Sequence, residues 1–439
     1  MDTGYHAWML MAASLVLMMT TPALALFYGG MSRSKSVLNM MMMSFSAIGI
    51  VGIVYVLWGW SMSYGDQDVA MLFNNPFETF GLNGVGGVDY IFVGFQLTFA
   101  VITAALISGA VADRLKFSAW VVFLPLWVTL SYFPLAHMVW GGGFLSGEEG
   151  ALADLIGGAA PVDYAGGTVV HINAGVAGLV LAILLGKRLG FGKEPIKPHN
   201  LPLTMIGAGL LWFGWFGFNV GSIVFPADGT EASNATFLAE TSLVWLNTTV
   251  CTAAAIVGWM VVEKIRHGKA TSLGAASGVV AGLVAITPAC GSVSPLGAIA
   301  MGLVAGALCA LAVGLKYKFG YDDALDVVGV HLVGGLVGTI AIGFLATSGG
   351  LFYGDGLSLL WTQFVIAVFA MVWSGVATLV VALLIKAVMG LRVEEENEID
   401  GLDFSEHGES GYELGTSRGR GRGTVAGTTT DKVKEGAGA

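Results

Sequence analysis

GGTVVHINAGVAG, residues 166–178, is apolar enough to lie inside a membrane, yet it carries a histidine. An ionisable ring in hydrocarbon is costly and by default marks a functional position. VVGVHLVGGLVGT, residues 327–339, has the same character. With His331 set on His171, Val330 falls on Val170, Gly335 on Gly175 and Gly338 on Gly178. Asp163 precedes the first histidine by eight residues, and Asp326 precedes the second by five.

Composition sets the class around these two stretches. Of 439 residues, 55% are hydrophobic and only 11% charged, against about 25% charged in soluble domains. The chain reads as an all-α polytopic membrane protein. Its 65 glycines suit close helix approach in lipid. Cys251, Cys290 and Cys309 have no ligand spacing and read as small packing residues, with no cofactor implied. The net charge of −10 comes without a basic stripe interleaved with aromatics, which excludes a nucleic-acid partner. The start, MDTGYHAWML, lacks a positive n-region and is not expected to be a cleaved signal peptide.

Runs long enough to span a bilayer fall at about 8–30, 37–64, 91–111, 118–140, 164–186, 201–223, 236–262, 271–288, 294–315, 325–347 and 358–387, giving eleven transmembrane helices. All twenty Lys and Arg lie in loops after odd-numbered spans or in the tail. The positive-inside bias then predicts an outer N-terminus and an inner C-terminus. The divisions expected are 1–392 for the membrane domain, 393–413 for an acidic cytoplasmic tail motif, and 414–439 for a disordered low-complexity end.

His171 lies on span 5 and His331 on span 10, five spans apart and opposite in direction. That is the mark of an inverted repeat, here 5+5 with one helix added. His171 is about 12 Å past Asp163, and His331 about 20 Å past Lys318, at 1.5 Å per residue, so both rings reach the midplane. Each needs a buried partner there, and the other ring is the economical one. The alternatives are two unrelated core histidines bonded to carbonyls, a proton relay or pore lining, and bis-histidine haem ligation. Asp163 also reads as the N-cap of span 5.

Near the outer ends, Phe95 and Phe99 share a face of span 3, span 4 ends at Trp140, and Phe218 and Ser222 lie four apart on span 6. Single aromatics at this level usually belong to a lipid-facing belt. Glycines around this set, in GWFGFNVGS and VWGGG, point to packing instead. Rings with one hydroxyl and no acid suit a small cation, at about 0.5–2 kcal/mol per cation–π contact. Burial of the ion still costs several kcal/mol, so an amine-type solute tends to shed its proton and cross as the neutral base. Paired imidazoles offer that base a donor and an acceptor.

These features resemble the ammonium transporter (Amt/Mep/Rh) family, in its bacterial Amt branch. The likeness runs through PALALFYGGMSRSKSVLNM, DYAGGTVVHINAGVAGL, GWFGFNVGS, SLGAASGVVAGLVAITPACG, DVVGVHLVGG and GLDFSEHGESGY. It implies ammonium uptake across the plasma (inner) membrane, with methylammonium as an analogue, and no enzyme activity. By the resemblance, His171 and His331 are twin pore histidines. Phe99, Trp140 and Ser222 form an outer recruitment site, and Phe99 and Phe218 the gate below it. Asp163 is a supporting aspartate, Gln96 lies near the pore, and Phe27 and Tyr28 line the cytoplasmic exit. A homotrimer is implied, with a PII-type signalling protein as partner for the 393–413 tail. The rivals are a sensor signalling through that tail, the haem protein, and a CO2 channel.

Overall fold

The computed structural model describes residues 3–194, 197–225 and 230–412. The tail expected to be disordered, 414–439, lies outside them. Among the described residues ten helices are long and apolar enough to cross a bilayer: α1 (Thr3–Met31), α2 (Val37–Tyr64), α3 (Tyr90–Val111), α4 (Phe117–Trp140), α5 (Gly167–Leu185), α6 (Leu201–Val220), α7 (Glu231–His267), α9 (Pro295–Phe319), α10 (Val328–Leu345) and α11 (Ser358–Val388). The eighth expected span is shorter than the sequence suggested. As α8 it covers Ser272–Ile286, about 22 Å at 1.5 Å per residue, less than the roughly 30 Å hydrocarbon core. Thr271 caps its start by accepting from Gly274 N, and Pro288 follows its end. Nearly all its residues from Ala276 on are buried in the bundle, so this helix meets protein rather than lipid.

Several hydroxyls inside the spans bond to backbone of their own helix. Thr103, Thr248, Thr252 and Thr287 each donate to the carbonyl four residues back, which satisfies the hydroxyl where no water is present. Glycines close the helix contacts. A Cβ on Gly302 would lie 2.1 Å from the Cys251 carbonyl, and one on Gly306 would lie 2.1 Å from the Ala255 carbonyl, so α7 and α9 touch backbone to backbone.

Two short tail helices, α12 (Glu395–Asp400) and α13 (Leu402–His407), fold onto the basic end of the bundle. Asp403 Oδ1 accepts from Asn39 N at 2.8 Å, and Glu406 Oε2 accepts from Phe117 N at 2.9 Å. The tail thereby supplies carboxylates to the starts of α2 and α4, where amides lack intrahelical partners. Beneath it, Arg188 bonds Asp322 through Nε and Nη2, both at 2.9 Å, and Asp113 through Nη1 at 3.2 Å. Arg114 Nε donates to Gly186 O, and Arg392 Nη2 donates to Glu398. The described part of the 393–413 motif is therefore built into the bundle end.

Candidate conduction site

The histidines sit in loosened stretches of helix. Gly167–Ile172 and Val328–Leu332 are π-helical turns, a geometry frequent at functional positions. Each turn is held by an aspartate. Asp163 Oδ1 accepts from Gly166 N (2.8 Å) and Gly167 N (2.6 Å), and Oδ2 accepts from Thr168 N (2.8 Å) and from the Thr168 hydroxyl. Asp323 accepts from Val327 N at 3.0 Å and Val328 N at 2.7 Å. Both aspartates use amides four and five residues on, and both precede their histidine by eight. The counterpart of Asp163 is thus Asp323, where the sequence reading took Asp326. Asp326 instead adopts φ +65° and pairs with Lys316 Nζ at 2.6 Å. The shared spacing of eight in DDALDVVGVH was the available signal.

The rings of His171 and His331 lie 5.4 Å apart at centroid, with Nδ1 to Nδ1 3.3 Å. Both are buried. The glycines four residues beyond each histidine make this approach possible. A Cβ on Gly175 would lie 2.5 Å from Leu332 N, and one on Gly335 would lie 3.1 Å from His171 Cβ. A bond between two Nδ1 atoms requires one to carry hydrogen and the other a lone pair. The pair therefore holds opposite tautomers, and its Nε2 atoms present one donor and one acceptor. Nε2 of His171 has no partner among the described residues.

Beside the rings is a cavity of about 10 Å³, room for about one water-sized molecule. Phe27, Ile102, Leu106, Val170 and Phe218 are among the residues of its wall, which besides the two imidazoles is aliphatic and aromatic throughout, so the surroundings are apolar. No haem macrocycle fits between rings this close. Trp215, which the sequence reading did not single out, stacks on His171 at 5.6 Å and is fixed by Nε1 donating to Thr287 at 2.8 Å. Its signal was its place one turn before Phe218 on α6.

Phe99 and Phe218 close the cavity. Their rings stack at 3.9 Å and 7°. On the far side is a vestibule of about 480 Å³, where Phe99, Gln96, Trp140, Ser222 and Tyr164 all reach the wall. Trp140 stands edge-on to Phe99 at 6.0 Å, and its Nε1 donates to Asp163 O at 2.8 Å. Ser222 Oγ donates to Phe218 O at 2.8 Å, leaving its lone pairs for another donor. Gln96 Oε1 is buried without a partner among the described residues. Phe95 lies fully buried behind Phe99, 4.8 Å from it at centroid, and does not face the vestibule. Glu240 also lines the vestibule, so the expectation of a mouth without an acid is corrected. Its sequence position early on α7 gave no helix-face relation to the aromatic set.

At the basic end, Tyr28 Oη donates to Leu106 O at 3.0 Å, and its ring fills the space a side chain on Gly109 would need. Phe27 faces the cavity while Tyr28 lies beside the Asp323–Asp326 turn. The structure thus brings together His171, His331, Phe99, Phe218, Trp140, Ser222 and Gln96 along one line. Asp163 and Phe95 act from behind it, while Asp326 stands apart.

Comparison with known proteins agrees in length and register. The model of the Ammonium Transporter Family matches residues 7–412. An ammonium transporter of Mycobacterium tuberculosis is 52% identical over 95% of this chain and 92% of its own. One of Bacillus subtilis is 46% identical over 94% and 99%. Among solved structures, a sensor Amt protein superposes with TM-score 0.81 at 29% identity, covering 92% of this chain and 98% of that one. Mep2 of Saccharomyces cerevisiae gives 0.78 at 31%, covering 90% and 88%.

Proposed function

From the premise that this chain belongs to the ammonium transporter family, a family of transporters rather than enzymes, we propose how this multi-pass plasma-membrane protein takes up ammonium. Ammonium binds in the vestibule against Trp140 and Phe99, donating to the Ser222 hydroxyl. The stacked Phe99 and Phe218 rings exclude hydrated ions. A bare ammonium ion loses several kcal/mol on entering an apolar cavity, so it gives up its proton at this level. Neutral ammonia then passes beside His171 and His331, which offer it a donor and an acceptor. The proton crosses separately, and transport carries charge. The tautomer alternation imposed by the 3.3 Å ring contact supports such a hop.

The proposed frame is eleven spans with α8 counted, in an inverted 5+5 arrangement plus α11, with the N-terminus outside. The equal aspartate–histidine spacing on α5 and α10, and the gathering of the basic loops with the tail at one end, support it. Residues 1–392 form the transporter domain, assembled as a homotrimer, and 393–413 form a tail for a PII-type partner. Asp163, Asp323 and Phe95 support the site, and Phe27 and Tyr28 line the inner exit.

The observation that carries the reading is the pair of facing, buried imidazoles below a closed aromatic gate. Saturable uptake of radiolabelled methylammonium by membrane vesicles, competed by ammonium, tests it; uptake that ammonium leaves unaffected would overturn it. A second reading, signalling through the tail, is favoured by the docking of Asp403 and Glu406. It predicts that loss of residues 393–439 abolishes a downstream response while flux stays intact.

A further inference from the structure

Asp163 serves both halves of the conduction site. Its backbone carbonyl accepts from Trp140 Nε1 at 2.8 Å, and its carboxylate holds the π-helical turn that carries His171. The residue lies in a stretch without regular structure, whose backbone groups must find partners outside any helix. Gln363, on α11, supplies them. Its side chain is fully buried, and its amide meets both backbone groups of Val162, next to Asp163. Oε1 accepts from Val162 N at 2.9 Å, and Nε2 donates to Val162 O at 2.8 Å. The second hydrogen of Nε2 goes to Thr339 O at 3.1 Å. Thr339 stands on α10, eight residues past His331, and abuts the start of the other histidine turn. A Cβ on Gly167 would lie 2.7 Å from its hydroxyl oxygen. On the other side of Asp163, Tyr164 N donates to Pro288 O at 3.1 Å. No described residue of α11 lines the vestibule or the cavity beside the rings.

We propose that Gln363 is a positioning residue for conduction: it fixes the place of Asp163 and thereby sets Trp140 and His171 in register with each other. This rests on the uptake reading above, in which Trp140 binds ammonium and His171 passes it on. Without the clamp, Val162 N and O lose their partners, and the stretch they belong to is free to slide. Both groups tied to Asp163 then move together, the indole on the vestibule side and the imidazole on the cavity side. The helix outside the proposed repeat thus acts on the substrate through one amide, with no contact of its own.

The test uses the full chain in membrane vesicles and proteoliposomes. Methylammonium half-saturation reads the Trp140 end, and the selectivity of the ammonium-evoked current against potassium reads the histidine end. Gln363→Met keeps the length and removes all three bonds; it should raise half-saturation several-fold and lower the selectivity. Gln363→Asn keeps the amide but is one methylene short, and should shift both values the same way if Gln363→Met does not reach the membrane. Trp140→Phe removes the indole donor to Asp163. Added to it, Gln363→Met should raise half-saturation no further, since the path from Gln363 to the ring is already cut, whereas independent effects would add. Thr378→Val removes another buried bond of α11, the one accepted from Trp127 Nε1 at 2.9 Å, and should leave both values in place. A merely structural Gln363 would lower abundance and melting temperature in Gln363→Met while half-saturation and selectivity stay at wild type. That result, or additive shifts in the double variant, would overturn the proposal. A half-saturation that Trp140→Phe alone leaves unchanged would instead overturn the recruitment reading, and the selectivity of Gln363→Met would still decide the proposal.

Discussion

Asp163 and Asp323 are structural equivalents: each carboxylate accepts from the amides four and five residues on, and each stands eight residues before one of the two facing, buried histidines. Neither reaches the cavity between the rings. Their work is to hold two π-helical turns open so that the imidazoles on them meet.

Asp163→Asn and Asp323→Asn test that work. Either change turns one acceptor oxygen into a donor facing an amide, and a buried unmet polar group costs about 1–3 kcal/mol. Both variants should melt at lower temperature in detergent and lose most methylammonium flux at equal membrane abundance. Full flux from either would contradict the positioning role.

Glu240→Gln addresses the mouth. The carboxylate lines the 480 Å³ vestibule and has no ion pair among the described residues. Its removal should raise outer-face half-saturation a few-fold, on the order of 0.5–1 kcal/mol for a charge several ångströms off in a largely aqueous site. The salt dependence of that value should also flatten.

Asp322 gives a pH dependence with a definite sign. Burial acts to raise its carboxyl, but the Arg188 guanidinium outweighs burial and holds it below the usual carboxylate range. A depressed folded value means the contribution is complete above the unfolded value of about 3.9. It is lost as pH falls below that and through the folded value. Asp322→Asn should therefore flatten the acid limb of stability against pH. At neutral pH it should cost about 3–5 kcal/mol, because Arg188 is left buried without its main partner.

Asp403→Ala with Glu406→Ala frees the starts of α2 and α4 from their tail caps, each worth about 0.5–2 kcal/mol. Limited proteolysis should then cut within residues 393–412 where the wild-type chain resists. Unchanged protection would contradict a holding role for the two carboxylates and leave the tail to its other bonds, Arg392 to Glu398 at 2.6 Å and His407 to Asn39 at 3.0 Å among them.

Much of this arrangement was legible in the residues. Apolar run length and the one-sided distribution of Lys and Arg located the helices, because the bilayer penalises charge so steeply. The histidines stood out for the same reason. The length of α8 was overestimated because a hydropathy run does not separate a buried helix from one that meets lipid. Asp326 was preferred over Asp323 because both precede His331 in one turn, and only backbone geometry tells which carboxylate meets the amides. Glu240 was missed because its placement depends on how α7 packs against α6, which no local spacing encodes, and Trp215 was passed over although it stands one turn before Phe218. Gln363 was missed likewise: from α11 it clamps Val162 beside Asp163, accepting from Val162 N at 2.9 Å and donating to Val162 O at 2.8 Å.

The most direct test of the central claim is the ammonium-evoked current in proteoliposomes holding wild type or the double variant His171→Ala with His331→Ala. If the facing imidazoles line the conduit and relay the proton, the double change removes the current or its selectivity against potassium. A current unchanged in both size and selectivity would contradict the role assigned to the pair.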